Sequence, residues 1–171
     1  AVHNNGSVFF TDPPYGLAKQ MDDPAKELDF QGVYKLSPQG ELKLVDKNLT
    51  FPNGIALTPN GQNLYVAVSD PHNPAWYQYK LNSQGDVISK KLFHKVKGDG
   101  THDNGAPDGL KVHSSGVVFA TGPHGIWLFA PSGKVLANIN IPYFCANLAF
   151  DKSEEYLYIT AHERLLRIKL K

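Results

Sequence analysis

Apolar residues along this chain gather in short, strand-length runs: Val8-Phe9-Phe10, Leu64-Tyr65-Val66-Ala67-Val68, Val117-Val118-Phe119-Ala120, Ile126-Trp127-Leu128-Phe129 and Tyr156-Leu157-Tyr158-Ile159. Breaks rich in Gly, Pro, Asn and Asp separate them, and almost no stretch carries the i, i+3, i+4 spacing of an amphipathic helix. The pattern predicts a turn-rich all-β protein. Two kinds of run are present. Some are apolar on both faces, as in a sheet sandwiched between neighbours, whereas near the C-terminus Leu166, Ile168 and Leu170 alternate with Arg167, Lys169 and Lys171, as in a half-wetted outer strand.

The runs repeat. Ala1 to Pro13, Ala56 to Tyr65 followed by Ser69-Asp70-Pro71, and Lys111 to Phe119 followed by Thr121-Gly122-Pro123 align without gaps, with glycines at 6, 61 and 116 and therefore two steps of 55 residues. A fourth unit, Ala149 to Asp151 and Tyr156 to Thr160, keeps the strands but replaces the glycine turn with Lys152-Ser153-Glu154-Glu155. Second hairpins turn at Pro38-Gln39-Gly40, Ser83-Gln84-Gly85 and Pro131-Ser132-Gly133. Short Gly-containing loops between apolar runs are strong hairpin signals, and two hairpins per unit make a four-stranded antiparallel sheet. Radially arranged sheets of this size are β-propeller blades.

The expected architecture is one incomplete propeller domain over 1–171, with blades at approximately 1–47, 48–95, 96–140 and 141–171. The first blade lacks most of its inner strand and the last lacks an outer one. Closed propellers have four to eight complete blades, so the sequence reads as an open arc. Its exposed faces and edges are expected to be covered by a missing N-terminal segment or a second copy. The chain opens on a strand without Met, which reads as a processed or truncated start.

Composition narrows the partners. Seventeen Lys+Arg against sixteen Asp+Glu give a net charge of +1 and no basic patch, which removes the electrostatic reason to expect nucleic acid or an anionic membrane. No apolar run is long enough to span a bilayer. The single cysteine, Cys145, has no partner for an internal disulfide and sits in no zinc-spaced cluster.

In a propeller, loops from all blades converge on one mouth of the central channel. Asn53 lies eight residues before Gly61 and Asp108 eight before Gly116, so equivalent slots in two blades hold oxygen donors; in the fourth blade the slot falls on Ala146, beside Asn147. Such donors suit Ca²⁺ or Mg²⁺ better than structural zinc. The same Pro-Asn-Gly and Pro-Asp-Gly tripeptides also serve as plain turns, and the residues alone leave both readings open. The turn after each second strand adds Asp12, Tyr15, His72, His124 and His162 as rim and substrate-contact candidates. The polar insertion from Leu17 to Phe30 is a candidate lid. Asp99 to Gly105 hints at a calcium loop, but its sixth position is Asn104 and its twelfth Leu110, and no nucleophile elbow or phosphate loop occurs.

Thr11-Asp12-Pro13-Pro14-Tyr15-Gly16, Phe51-Pro52-Asn53-Gly54-Ile55-Ala56, Pro107-Asp108-Gly109-Leu110 and Thr121-Gly122-Pro123-His124-Gly125-Ile126-Trp127 together resemble the gluconolactonase branch of the SMP-30/regucalcin-like family. The resemblance implies about four blades of a six-bladed propeller and a metal-dependent lactone hydrolase acting on a small sugar lactone. It also implies one divalent ion in the channel, Ca²⁺ favoured, with Mg²⁺, Mn²⁺ and Zn²⁺ as alternatives. Asn53 and Asp108 match two family metal ligands, and Asp108 is also the implied proton acceptor. The family's N-terminal Glu and a further Asn fall upstream of Ala1, so this chain alone is expected to be metal-poor and inactive unless complemented. Two other readings remain at this point: a non-catalytic binding propeller, and an organophosphate or aryl ester hydrolase of the same superfamily.

Overall fold

A computed structural model describes residues 1–170, and fourteen strands and two short 3-10 turns account for its regular structure. Four antiparallel meanders follow one another along the chain. The first sheet orders β1 (Val8–Asp12), β2 (Gly32–Leu36) and β3 (Leu42–Asp46), with one isolated bridge from Val2 to Val8 beside β1. The second runs β4 (Pro52–Leu57), β5 (Asn63–Val68), β6 (Ala75–Leu81) and β7 (Val87–Lys95). The third runs β8 (Leu110–Val112), β9 (Val118–Gly122), β10 (Gly125–Phe129) and β11 (Val135–Asn140). The fourth has β12 (Cys145–Phe150), β13 (Tyr156–Ala161) and β14 (Arg164–Lys169).

Side-chain alternation on β5 shows how the sheets stack. Leu64, Val66 and Val68 face the first sheet, in a core with Phe9, Val33 and Tyr79; Tyr65 and Ala67 face the third, with Trp76, Phe93, Leu110 and Phe129. Both faces of the strand are dry, which is why its run is apolar without alternation. A third core joins Phe119 and Ile126 to Leu148, Leu157 and Ile159 of the last sheet. The innermost strands touch in sequence, β1 on β4, β4 on β8, and β8 and β9 on β12, so the sheets form an open arc of blades around one axis.

The arc leaves one apolar face uncovered. Val8 pairs with Leu36 and Leu36 with Leu42, while Phe10 pairs with Tyr34 and Tyr34 with Leu44, so these side chains share the side of the first sheet opposite its Phe9–Val33 core.

Turns between the first two strands of each unit show why three carry glycine. Gly6, Gly61 and Gly116 all adopt positive φ, the left-handed region that glycine enters without a Cβ clash. Glu154 takes the same place in the fourth unit at φ 55°, its N–H donating to Asp151 O as Gly116 donates to His113 O. The side chain that glycine lacks is used: the Glu154 carboxylate lies 3.2 Å from His113 Nε2 and accepts from Ser114 N and Ser114 Oγ of the preceding sheet. At the other end of the arc, His3 makes the corresponding bridge, its Nε2 3.2 Å from the carbonyl of Gly61.

Candidate functional site

Asn53 and Asp108 owe their direction to local irregularities. β4 pairs with β5 through Pro52–Val68 and then Ile55–Val66, a bulge that takes up Asn53 and Gly54. Bulges kink a strand and re-aim a side chain, and this one lies at the end of the strand nearest the channel. Neither Gly54 nor Gly109 has positive φ, so these glycines are not turn residues. Both are required by close approach instead. A Cβ on Gly54 would stand 1.9 Å from the carbonyl oxygen of Asp108, and one on Gly109 would stand 2.3 Å from Asn147 Oδ1. Bare backbone therefore lets successive inner strands draw together, and Asn53 and Asp108, each preceding such a glycine, line one cavity.

Hydroxyls at one position of every unit tie these strands down. Thr11 Oγ1 donates to Asn53 O at 2.7 Å, and Ser69 Oγ donates to Pro107 O at 2.5 Å. Thr121 Oγ1 accepts from Asp108 N at 3.0 Å, and Thr160 Oγ1 accepts from Asn147 N at 3.0 Å. The first two links cross to the next blade, and the last two hold the inner strand of their own blade.

A cavity of about 230 Å³ results, lined by Tyr15, Asn53, Ser69, His102, Ala106, Asp108 and Phe144. Burial pushes the Asp108 carboxyl up to about 6, and the positive charge of His102 offsets this only in part. Burial also raises the Tyr15 hydroxyl; hydrogen bonding with Ser69 and Asn53 opposes the shift, while the negative charges of Asp108 and Asp70 add to it. Tyr15 stacks on Phe51 with ring centroids 5.9 Å apart, which roofs this side of the cavity. His102 Nε2 lies 2.6 Å from the carbonyl of Ser69, so the ring donates there.

The other sequence candidates fall elsewhere. Asp12 lines a separate cavity of about 400 Å³ beneath the Leu17–Phe30 insertion, together with Gln31; of this part of the chain, Tyr15 reaches the Asn53–Asp108 cavity. His72 sits exposed on a turn capped by Asp70, whose Oδ1 accepts from His72 N at 2.9 Å. His124, at φ 66°, lines a small cavity under the 97–106 loop. Asn147 is engaged locally, its Oδ1 accepting from Leu148 N at 2.9 Å and Lys111 Nζ at 3.4 Å. The ring of His162 lies 6.3 Å from that of Phe144, one residue removed from the cavity wall. Ser69, His102 and Phe144 were not singled out from the sequence, although the hydroxyl recurring as Thr11, Ser69, Thr121 and Thr160 was a legible signal for the first.

Asn53 and Asp108 fit an oxygen-preferring divalent cation in kind: a neutral amide oxygen and a half-buried carboxylate whose charge His102 offsets only in part. They fill only part of a shell. Ca²⁺ takes six to eight oxygens, and among the described residues no group of three or more His, Cys, Asp or Glu side chains converges.

The SMP-30/gluconolactonase/LRE-like region model matches residues 1–163. The chain belongs to that family. Among relatives of this SMP-30/gluconolactonase chain, a gluconolactonase of Zymomonas mobilis is 37% identical over 171 residues, covering 98% of this chain and 48% of its own length. The structure of a gluconolactonase from Xanthomonas campestris superposes with a TM-score of 0.84 at 30% identity, covering 99% of this chain and 55% of that one. Regucalcin from Agrobacterium tumefaciens, described as a calcium-binding protein, shares the fold at TM-score 0.70 and 17% identity, over 95% of this chain and 53% of that one. The chain thus spans about half the length of the relatives it matches, and its fold is a partial β-propeller.

Proposed function

We propose that this chain carries part of the catalytic site of a divalent-metal-dependent lactone hydrolase that opens a sugar lactone to its aldonic acid, with Ca²⁺ the favoured ion. The observation that carries the reading is that Asn53 and Asp108, from consecutive sheets, line one cavity in which a half-buried carboxylate is only partly offset by His102. Lactone hydrolysis is the activity named for the Zymomonas and Xanthomonas relatives. The rest of the ion's shell, and the cover over the apolar face of the first sheet, are assigned to a further segment of a protein of the relatives' length or to a second copy.

A bound divalent ion would supply a Lewis acid for the lactone carbonyl. The side chains of this chain do the remainder. Asn53, on β4, and Asp108, two residues before β8, would hold the ion. Asp108 accepts the proton of the attacking water as general base. The water oxygen bonds to the carbonyl carbon, the bond from that carbon to the ring oxygen breaks, and the ring oxygen leaves as a hydroxyl with the proton returned by Asp108, giving a hydroxy acid. Tyr15 and His102, which line the same cavity, are the polar side chains left to meet the sugar hydroxyls.

The test is turnover of glucono-δ-lactone with Ca²⁺ by the intact protein. Asp108→Ala should lower kcat/KM by about 10²-fold or more; turnover equal to wild type would remove the assignment.

A further inference from the structure

Ser69 is buried, 3% exposed, and lies outside the pair that would hold the ion. Its hydroxyl has one proton to give. At 2.5 Å from Pro107 O that proton is committed, because a carbonyl oxygen can only accept. Toward Asn53, 3.1 Å away, Ser69 Oγ is therefore an acceptor, and the Asn53 amide must present its Nδ2. The Tyr15 hydroxyl interacts with both Ser69 and Asn53, and it carries a proton of its own that Ser69 Oγ can accept. With Nδ2 held on Ser69, Asn53 Oδ1 is on the opposite arm of the planar amide, free for the cavity that Asn53 lines with Asp108. The same Ser69 fixes the other side of the site, since Pro107 immediately precedes Asp108, and the Ser69 carbonyl also receives His102.

We propose that Ser69 is a positioning residue: its one-way hydrogen bond sets the amide orientation of Asn53, so that oxygen rather than nitrogen faces the ion, and ties that orientation to the Pro107-Asp108 segment that leads into β8. This rests on the metal site of the proposed function and adds a rule for how that site is poled. An amide turned the wrong way offers a cation an N–H dipole and repels it. Threonine should substitute for Ser69, because Thr11 occupies the corresponding position in the first sheet and donates in the same way to a carbonyl of the next blade.

Calorimetric titration of the intact, metal-stripped protein with Ca²⁺ tests this without reference to turnover. Ser69→Ala should weaken Ca²⁺ binding about tenfold or more, in the range seen when a ligand loses its outer hydrogen bond, and Ser69→Thr should restore it. Aspartate has an oxygen on both arms, so in an Asn53→Asp background Ser69→Ala has no orientation to spoil and should change affinity less than about threefold. A purely structural Ser69 would give the same loss in both backgrounds and overturn the proposal, as would wild-type affinity in Ser69→Ala. If Ser69→Ala does not fold, Ser69→Cys, a poor hydrogen bonder of similar shape, takes its place in both arms. Unchanged Ca²⁺ affinity in Asn53→Ala would instead remove the metal site itself, a separate failure.

Discussion

Asp108 carries a measurable consequence even without a ligand. Its carboxyl rises from 3.8 to about 6 because burial disfavours the charged form. The folded protein therefore holds this proton more tightly than the unfolded chain does. Below about pH 4 both states are protonated and the group contributes nothing; as pH rises toward 6 and beyond, folding increasingly has to bear a buried charge. Asp108→Asn should accordingly stabilise the metal-free protein by about 1–2 kcal/mol at pH 7.5, after allowance for partial exposure, with the gain vanishing near pH 4. Thermal melts of both proteins across that range check it, and a gain that grew toward low pH would contradict it. Glu154 invites a second test. Glu154→Ala keeps the positive-φ backbone but loses the link to His113 and Ser114, so it should destabilise by about 1 kcal/mol in denaturant unfolding.

At the level of strands, the repeats were legible because burial on two faces leaves a plain mark: unbroken apolar runs, punctuated by glycines at turns that need positive φ. The roles of Gly54 and Gly109 were not legible. Written after Asn and Asp they look like turn glycines, whereas their lack of a side chain lets one inner strand meet the next, a fact about neighbours far along the chain, Asp108 for Gly54 and Asn147 for Gly109. His102 was hidden for a similar reason. It sits in a loop that fails as a calcium motif, and only the packing of that loop on Ser69 brings it to the cavity. Glu154 was disguised by the absence of the glycine whose place it takes. Gly54→Ala follows from the close approach: a methyl 1.9 Å from Asp108 O must push β4 from β8, so the variant should lose about 3 kcal/mol or more and bind Ca²⁺ weakly even where it folds. Unfolding and titration matching wild type would show that the inner strands are not as close as drawn.

Across the whole molecule, the arc buries three cores between four sheets but leaves Val8, Phe10, Leu36, Leu42 and Leu44 exposed on one face of the first sheet. Contiguous apolar surface of this kind associates when nothing covers it. Residues 1–171 expressed alone should elute from gel filtration as oligomers, and Phe10→Lys with Leu42→Lys should shift them toward monomer. A monomer of the unsubstituted chain would indicate that the face is harmless. The central claim is narrower: one cation held between two neighbouring sheets. Calcium titration of the intact protein beside Asn53→Ala and Asp108→Ala tests it most directly. The account predicts a single site in wild type, weakened by at least about tenfold in each variant; wild-type stoichiometry and affinity in both would contradict it.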